Sequence, residues 1–124
     1  IGDANFLEAV VEEPQSGGFV RVSLEGLGHP LVVGKPGLKV GEKVRLMVRP
    51  EKLHLSKQRP ASHERVNIAQ TRIESVTYFG PHTKLLTRSG ELVLQVQQST
   101  REAFLTVGAE TWLSFEPEAA RVVD

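Results

Sequence analysis

Residues 40–51 and 107–118 align without a gap at a constant offset (40 to 107, that is 67 residues). Val, Gly, Leu, Pro and Glu are identical between the two stretches, and Val48 is answered by Phe115. Upstream, residues 19–26 parallel residues 83–90 at an offset of 64 (19 to 83). Self-similarity in the same order of elements reads as one structural unit used twice. A chain of 124 residues leaves about sixty for each copy, a size that buries too little surface to be comfortable alone. The halves are therefore expected to pack together or interlock: 1–56 as the first, 57–65 as a connector rich in Pro and charge, and 66–124 as the second.

The periodicity inside each copy is that of strands. Val20, Val22 and Leu24 alternate with polar neighbours, as do Val44, Leu46 and Val48, and the run 91–96 repeats the pattern. Glycine and proline break the chain at 17–18, 26, 28, 34–37, 41, 80–81, 90 and 108. Short strands at such spacing, about five to each copy, predict an all-β fold of two small OB-type barrels with minimal helix. The best helical signal is the capping-box pattern at Ser99 to Glu102, enough for one turn through Phe104.

Composition narrows the chemistry. Cysteine is absent, which removes disulfides, zinc–thiolate sites and thiol nucleophiles. No apolar run approaches the ~20 residues that span a bilayer. The opening at Ile1 is neither a methionine nor a signal peptide, so the sequence is expected to be cut from a longer protein. Fifteen basic and fifteen acidic residues cancel, which weighs against nucleic acid as a partner. Residues 35–65 nonetheless hold nine Lys/Arg against three Asp/Glu, a local +6. That stretch reads first as a solvated face plus a basic linker, and otherwise as a docking surface for an acidic partner.

Catalytic patterns are not found. His29, His54, His63 and His82 stand at no metal-ligand spacing. There is no Gly-x-Ser-x-Gly elbow. Glu12 and Glu13, read as the two sides of one strand, suit solubility better than acid–base work. Residues 34–37 contain glycine and lysine but no phosphate-binding pattern with a following helix. The chain is accordingly not expected to be an enzyme, and no catalytic, cofactor-binding or metal-binding residue is assigned.

The aromatic residues are the remaining candidates. Phe115 is in phase with Leu113, and Tyr78 with Val76, so both are expected inside. Trp112 falls on the opposite face, as packing between the halves or as an anchor for a partner. Tyr78, Phe79, Gly80, Pro81 and His82 join two adjacent aromatics to a rigid, uncharged turn, and form the candidate self-contacting surface. Pro50 predicts a tight turn, repeated at Pro117; Arg49 and Glu51 beside it are the candidate contact to a neighbouring domain.

Several phrases resemble a known family. Residues 1–8 resemble the start of the C-terminal region of ATP-binding-cassette (ABC) importer ATPases. Residues 46–53 resemble that family's "xRPExL" phrase, and residues 74–83 its "V-x-Y-x-G-x-x-T" phrase. In this order they are similar to the transport-associated OB (TOBE) domain, nearest the branch serving polyamines, with iron(III), sulfate and sugar branches close by. The resemblance implies a regulatory and dimer-stabilising module. Its partners would be an ATPase domain of the same chain, a twin subunit and, through the ATPase, a membrane permease, with no nucleic acid and no insertion into the membrane. It implies a cytoplasmic position, peripheral to the inner membrane. ATP and magnesium would belong to the parent, with no cofactor in this stretch. The oxyanion phrase of molybdate-type relatives is not matched at residues 97–100. A single-stranded nucleic-acid binder of OB type and a small-ligand sensor are the alternatives.

Overall fold

The computed structural model describes residues 3–14, 16–63, 66–101 and 105–124. Ten strands follow in order: β1 (Asn5–Val11), β2 (Phe19–Ser23), β3 (Leu31–Val33), β4 (Lys43–Val48), β5 (His54–Ser56), β6 (Asn67–Phe79), β7 (His82–Ser89), β8 (Leu92–Ser99), β9 (Glu110–Phe115) and β10 (Ala120–Val122). Two short 3-10 turns, Pro50–Lys52 and Pro117–Ala119, precede β5 and β10. The fold is all-β, as expected. The candidate helical turn at 99–104 lies partly outside the described residues; Ser99 itself ends β8.

Alternation sets the strand faces. Along β1 Leu7, Ala9 and Val11 point inward, while Phe6, Glu8 and Val10 are exposed. Val20, Val22, Val44, Leu46 and Val48 form the interior of the first barrel with them. Leu85, Leu94, Val96, Leu113 and Phe115 fill the second unit, and one continuous core joins the two. The expectation for Phe115 therefore holds. Glu12 and Glu13 do not share a strand: β1 ends at Val11, and both glutamates lie just beyond it.

The repeat extends to the hydrogen bonds of the glycine turns. Gly41 N–H donates to Val11 O (2.8 Å) and Glu42 N–H to Lys39 O (3.0 Å). Gly108 N–H likewise donates to Ile73 O (2.8 Å) and Ala109 N–H to Thr106 O (3.1 Å). Both glycines sit at nearly the same positive φ, 89° and 88°, a region where a side chain is strained.

The strands are traded between units. β1-β2-β3-β10-β4 close a barrel, and β5-β9-β6-β7-β8 form the second sheet. Thus β10 completes the first barrel between β3 and β4, while β5 pairs with β9 in the second sheet. The 3-10 turns cause the exchange: a buried proline ends β4 or β9 and redirects the next three residues across.

Two buried asparagines tie the units from matching positions. Asn5, first in β1, donates from Nδ2 to Gln95 O (2.9 Å) and accepts from Gln95 N–H (2.8 Å). Asn67, first in β6, makes the same pair with the backbone of Leu31, at 2.9 Å each way. The turn at Gly26 also meets the other unit, where an added Cβ would stand 2.8 Å from Ser89 O.

The units differ inside. Thr71, Thr83, Thr87 and Thr111 are buried in the second. Thr87 Oγ1 reaches Thr71 Oγ1 and Arg72 O, and Thr111 Oγ1 donates to Ser56 O (2.8 Å). At the seam between β5 and β8 the link is a side chain, with Leu55 N–H donating to Gln98 Oε1 (3.2 Å).

Candidate interaction surface

The longest hairpin carries the most exposed aromatics. β6 and β7 pair from Arg72↔Arg88 to Phe79↔His82, turning through Gly80 and Pro81, with a register shift between Ile73 and Ser75. Glu74, the extra residue, grips Arg88 by two hydrogen bonds (3.1 and 2.9 Å). That bidentate pairing, with the Glu74 charge behind it, holds the guanidinium above its ordinary pKa.

Tyr78 is 60% exposed and Phe79 55%, so the expectation that Tyr78 lies in the core fails. Its phase was right: it pairs with Thr83, which is fully buried, and shares a face with Val76. Its exposure follows from the length of β6, 13 residues, which carries the hairpin tip past the packed interior. Phe79 points to the other side, where Lys84 Nζ lies 5.2 Å from its ring centroid. Lys84 also faces Asp3 at 3.8 Å. Thr100 steadies the turn by donating to Gly80 O (2.7 Å). The hairpin thus gathers Tyr78, Phe79, Gly80, Pro81 and His82 at one tip, with aromatic surface on both faces.

The other candidates fall elsewhere. Trp112 stands on β9 opposite Gln70 and Ser56, half-buried, with Arg59 of the connector over its ring at 5.4 Å. Arg49 caps the first 3-10 turn, its backbone N–H donating to Ala119 O (3.1 Å), and its side chain is exposed. Glu51, in that turn, lines a cleft of about 440 Å³ with His54, Glu116 and Glu118. Sequence reasoning passed over Phe6, which is 51% exposed with Arg45 stacked 4.4 Å above it. Its alternation with the buried Leu7 was the available signal. Among the described residues no group of three or more His, Asp or Glu is placed to hold a metal ion, and no helix is long and apolar enough to cross a membrane.

Fold and sequence together define a class: a duplicated OB-type module whose conspicuous surface is a projecting aromatic hairpin. The profile of the TOBE domain matches residues 46–123, more than half of the chain, and the chain belongs to that family. It is 30% identical over 112 residues to the spermidine/putrescine import ATP-binding protein PotA of Protochlamydia amoebophila (strain UWE25), covering 90% of this chain and 30% of that protein. To the putrescine transport ATP-binding protein PotG of Escherichia coli (strain K12) it is 32% identical, over 99% of this chain and 33% of the relative. The chain thus spans about a third of the length of these relatives. A solved structure of the cytoplasmic molybdate-binding protein ModG superposes with a TM-score of 0.78 at 14% identity, covering 94% of this chain and 92% of that one. At that identity the likeness is one of fold.

Proposed function

We propose that this chain is the non-catalytic accessory domain of the ATP-binding subunit of an ABC importer for a small, polyamine-like solute. The observation that carries the reading is the match to polyamine import ATP-binding proteins over nine-tenths or more of the chain, within about a third of theirs. Its place is cytoplasmic, peripheral to the membrane through the transporter. ATP and magnesium are handled by a separate ATPase domain of the same protein, whose partners are the permease subunits. Arg49 and Glu51, exposed on the first 3-10 turn, are the contact toward that ATPase domain.

The module steadies the ATPase dimer, and the Tyr78–Phe79 tip is the surface by which two copies meet across a two-fold axis. A weak patch is enough, because the larger domains hold the copies at high effective concentration. The test is Phe79→Asp with His82→Asp in the full-length subunit, assayed for dimerisation, ATPase activity and solute uptake. Weaker dimerisation or unregulated ATPase activity with an intact fold is the expected result. Unchanged dimerisation, regulation and uptake would remove the tip from the interface.

A further inference from the structure

Arg59 leaves the connector and lays its guanidinium against Trp112. A guanidinium carries five N–H donors, and among the described residues no acceptor takes any of those of Arg59. Over an indole face, a guanidinium is a weakly hydrated cation whose planar fork is pre-organised, so less freedom is lost when it grips an anion. Beside it opens a cleft of about 210 Å³ shared with Arg21, His29 and Ser62. Arg21 is set in place by donating from Nη1 to His29 O (2.9 Å). Glu13 meets Arg21 Nε at 3.6 Å and Glu12 meets His29 Nδ1 at 2.5 Å. Neither carboxylate borders the cleft: among the described residues no Asp or Glu lines it. Asn67, which also borders it, has its carboxamide engaged by Leu31.

We propose that this cleft binds a phosphate group. Arg59 brings a charge with no carboxylate partner among the described residues, Arg21 brings a second guanidinium shared with Glu13, and Arg is the side chain suited to phosphate oxygens. The donors come from β2, the β2–β3 turn and the connector, so they approach from several sides. That arrangement suits a tetrahedral ion better than a planar carboxylate. The site is remote in sequence from residues 97–100 and independent of the transporter reading. Trp112 is then a platform for Arg59.

Trp112 is the single tryptophan, so its fluorescence reports on Arg59 directly. The chain is titrated with inorganic phosphate, and separately with glycerol phosphate, against chloride at matched ionic strength. A saturable change with phosphate and not with chloride is expected. Arg59→Gln should weaken it by about tenfold or more, the loss of one charge-assisted pair, and Arg21→Gln should do the same while leaving the indole covered. A response to inorganic phosphate assigns the free ion, and one confined to glycerol phosphate assigns a phosphate monoester. A response no different from chloride in both arms, or undiminished binding in folded Arg59→Gln and Arg21→Gln, overturns the site.

Discussion

Asn5 does for Gln95 what a neighbouring strand would do, donating to its carbonyl and accepting from its N–H across 90 residues of chain. It also donates to Val48 O at 3.3 Å, so one side chain fastens β8 of the second unit to the β1–β4 pair of the first. Asn5→Leu would leave the backbone of Gln95 without either bond. An unsatisfied buried polar group costs about 1–3 kcal/mol, and that loss is expected in chemical denaturation. Asn5→Asp keeps the acceptor but sets a carboxylate toward two carbonyl oxygens, so it should be at least as harmful at neutral pH. Stability of both variants equal to the parent chain would show the clamp to be idle.

Leu46 and Leu113 are matched positions in the two units, and both are fully buried. Each replaced by alanine should lose about 2–5 kcal/mol, the range for a buried leucine. Urea midpoints that move for one and not the other would mean that the units unfold separately rather than around a shared core.

Three glycines separate backbone strain from crowding. Gly41 and Gly108 have open space where a Cβ would go, whereas at Gly26 it would meet Ser89 O and Leu92. Gly41→Ala and Gly108→Ala should cost about 1–2 kcal/mol each, the price of left-handed backbone in an L-residue. Gly26→Ala should exceed both, because a backbone carbonyl cannot swing aside. Thermal denaturation of the three variants tests the order.

Tyr78→Ser should change the stability of the chain by no more than about 0.5 kcal/mol, as expected of an exposed position. In the full-length subunit it should weaken self-association. A large loss of stability with unchanged association would return Tyr78 to a packing role.

Much of this architecture could be read from the residues. The Val-Gly and Pro-Glu phrases occur twice, and they mark the same turns in three dimensions because glycine supplies a positive φ and proline ends a strand. Alternation placed Leu46, Leu113 and Phe115 correctly. The trade of β5 for β10 could not be read, since three residues such as His54-Leu55-Ser56 carry no sign of which sheet they join. Tyr78 was assigned by phase alone, and phase cannot tell how far a hairpin runs beyond its core. The turn itself was legible because Gly80 and Pro81 follow two rings, but the exposure of Tyr78 was not. The Arg59–Trp112 stack was not, because it joins a connector to a strand through tertiary contact only.

Because β1 and β10 both run antiparallel to β4 and flank it, they are parallel to each other. Tension between the start of β1 and the end of β10 therefore slides both along β4 in opposite senses. Such shear strains the hydrogen bonds of each ladder together rather than one at a time. The second sheet, threaded between these strands in sequence, meets the load at the Asn5–Gln95 clamp. Stretched between those two strands, the molecule would resist first through the ladders on either side of β4.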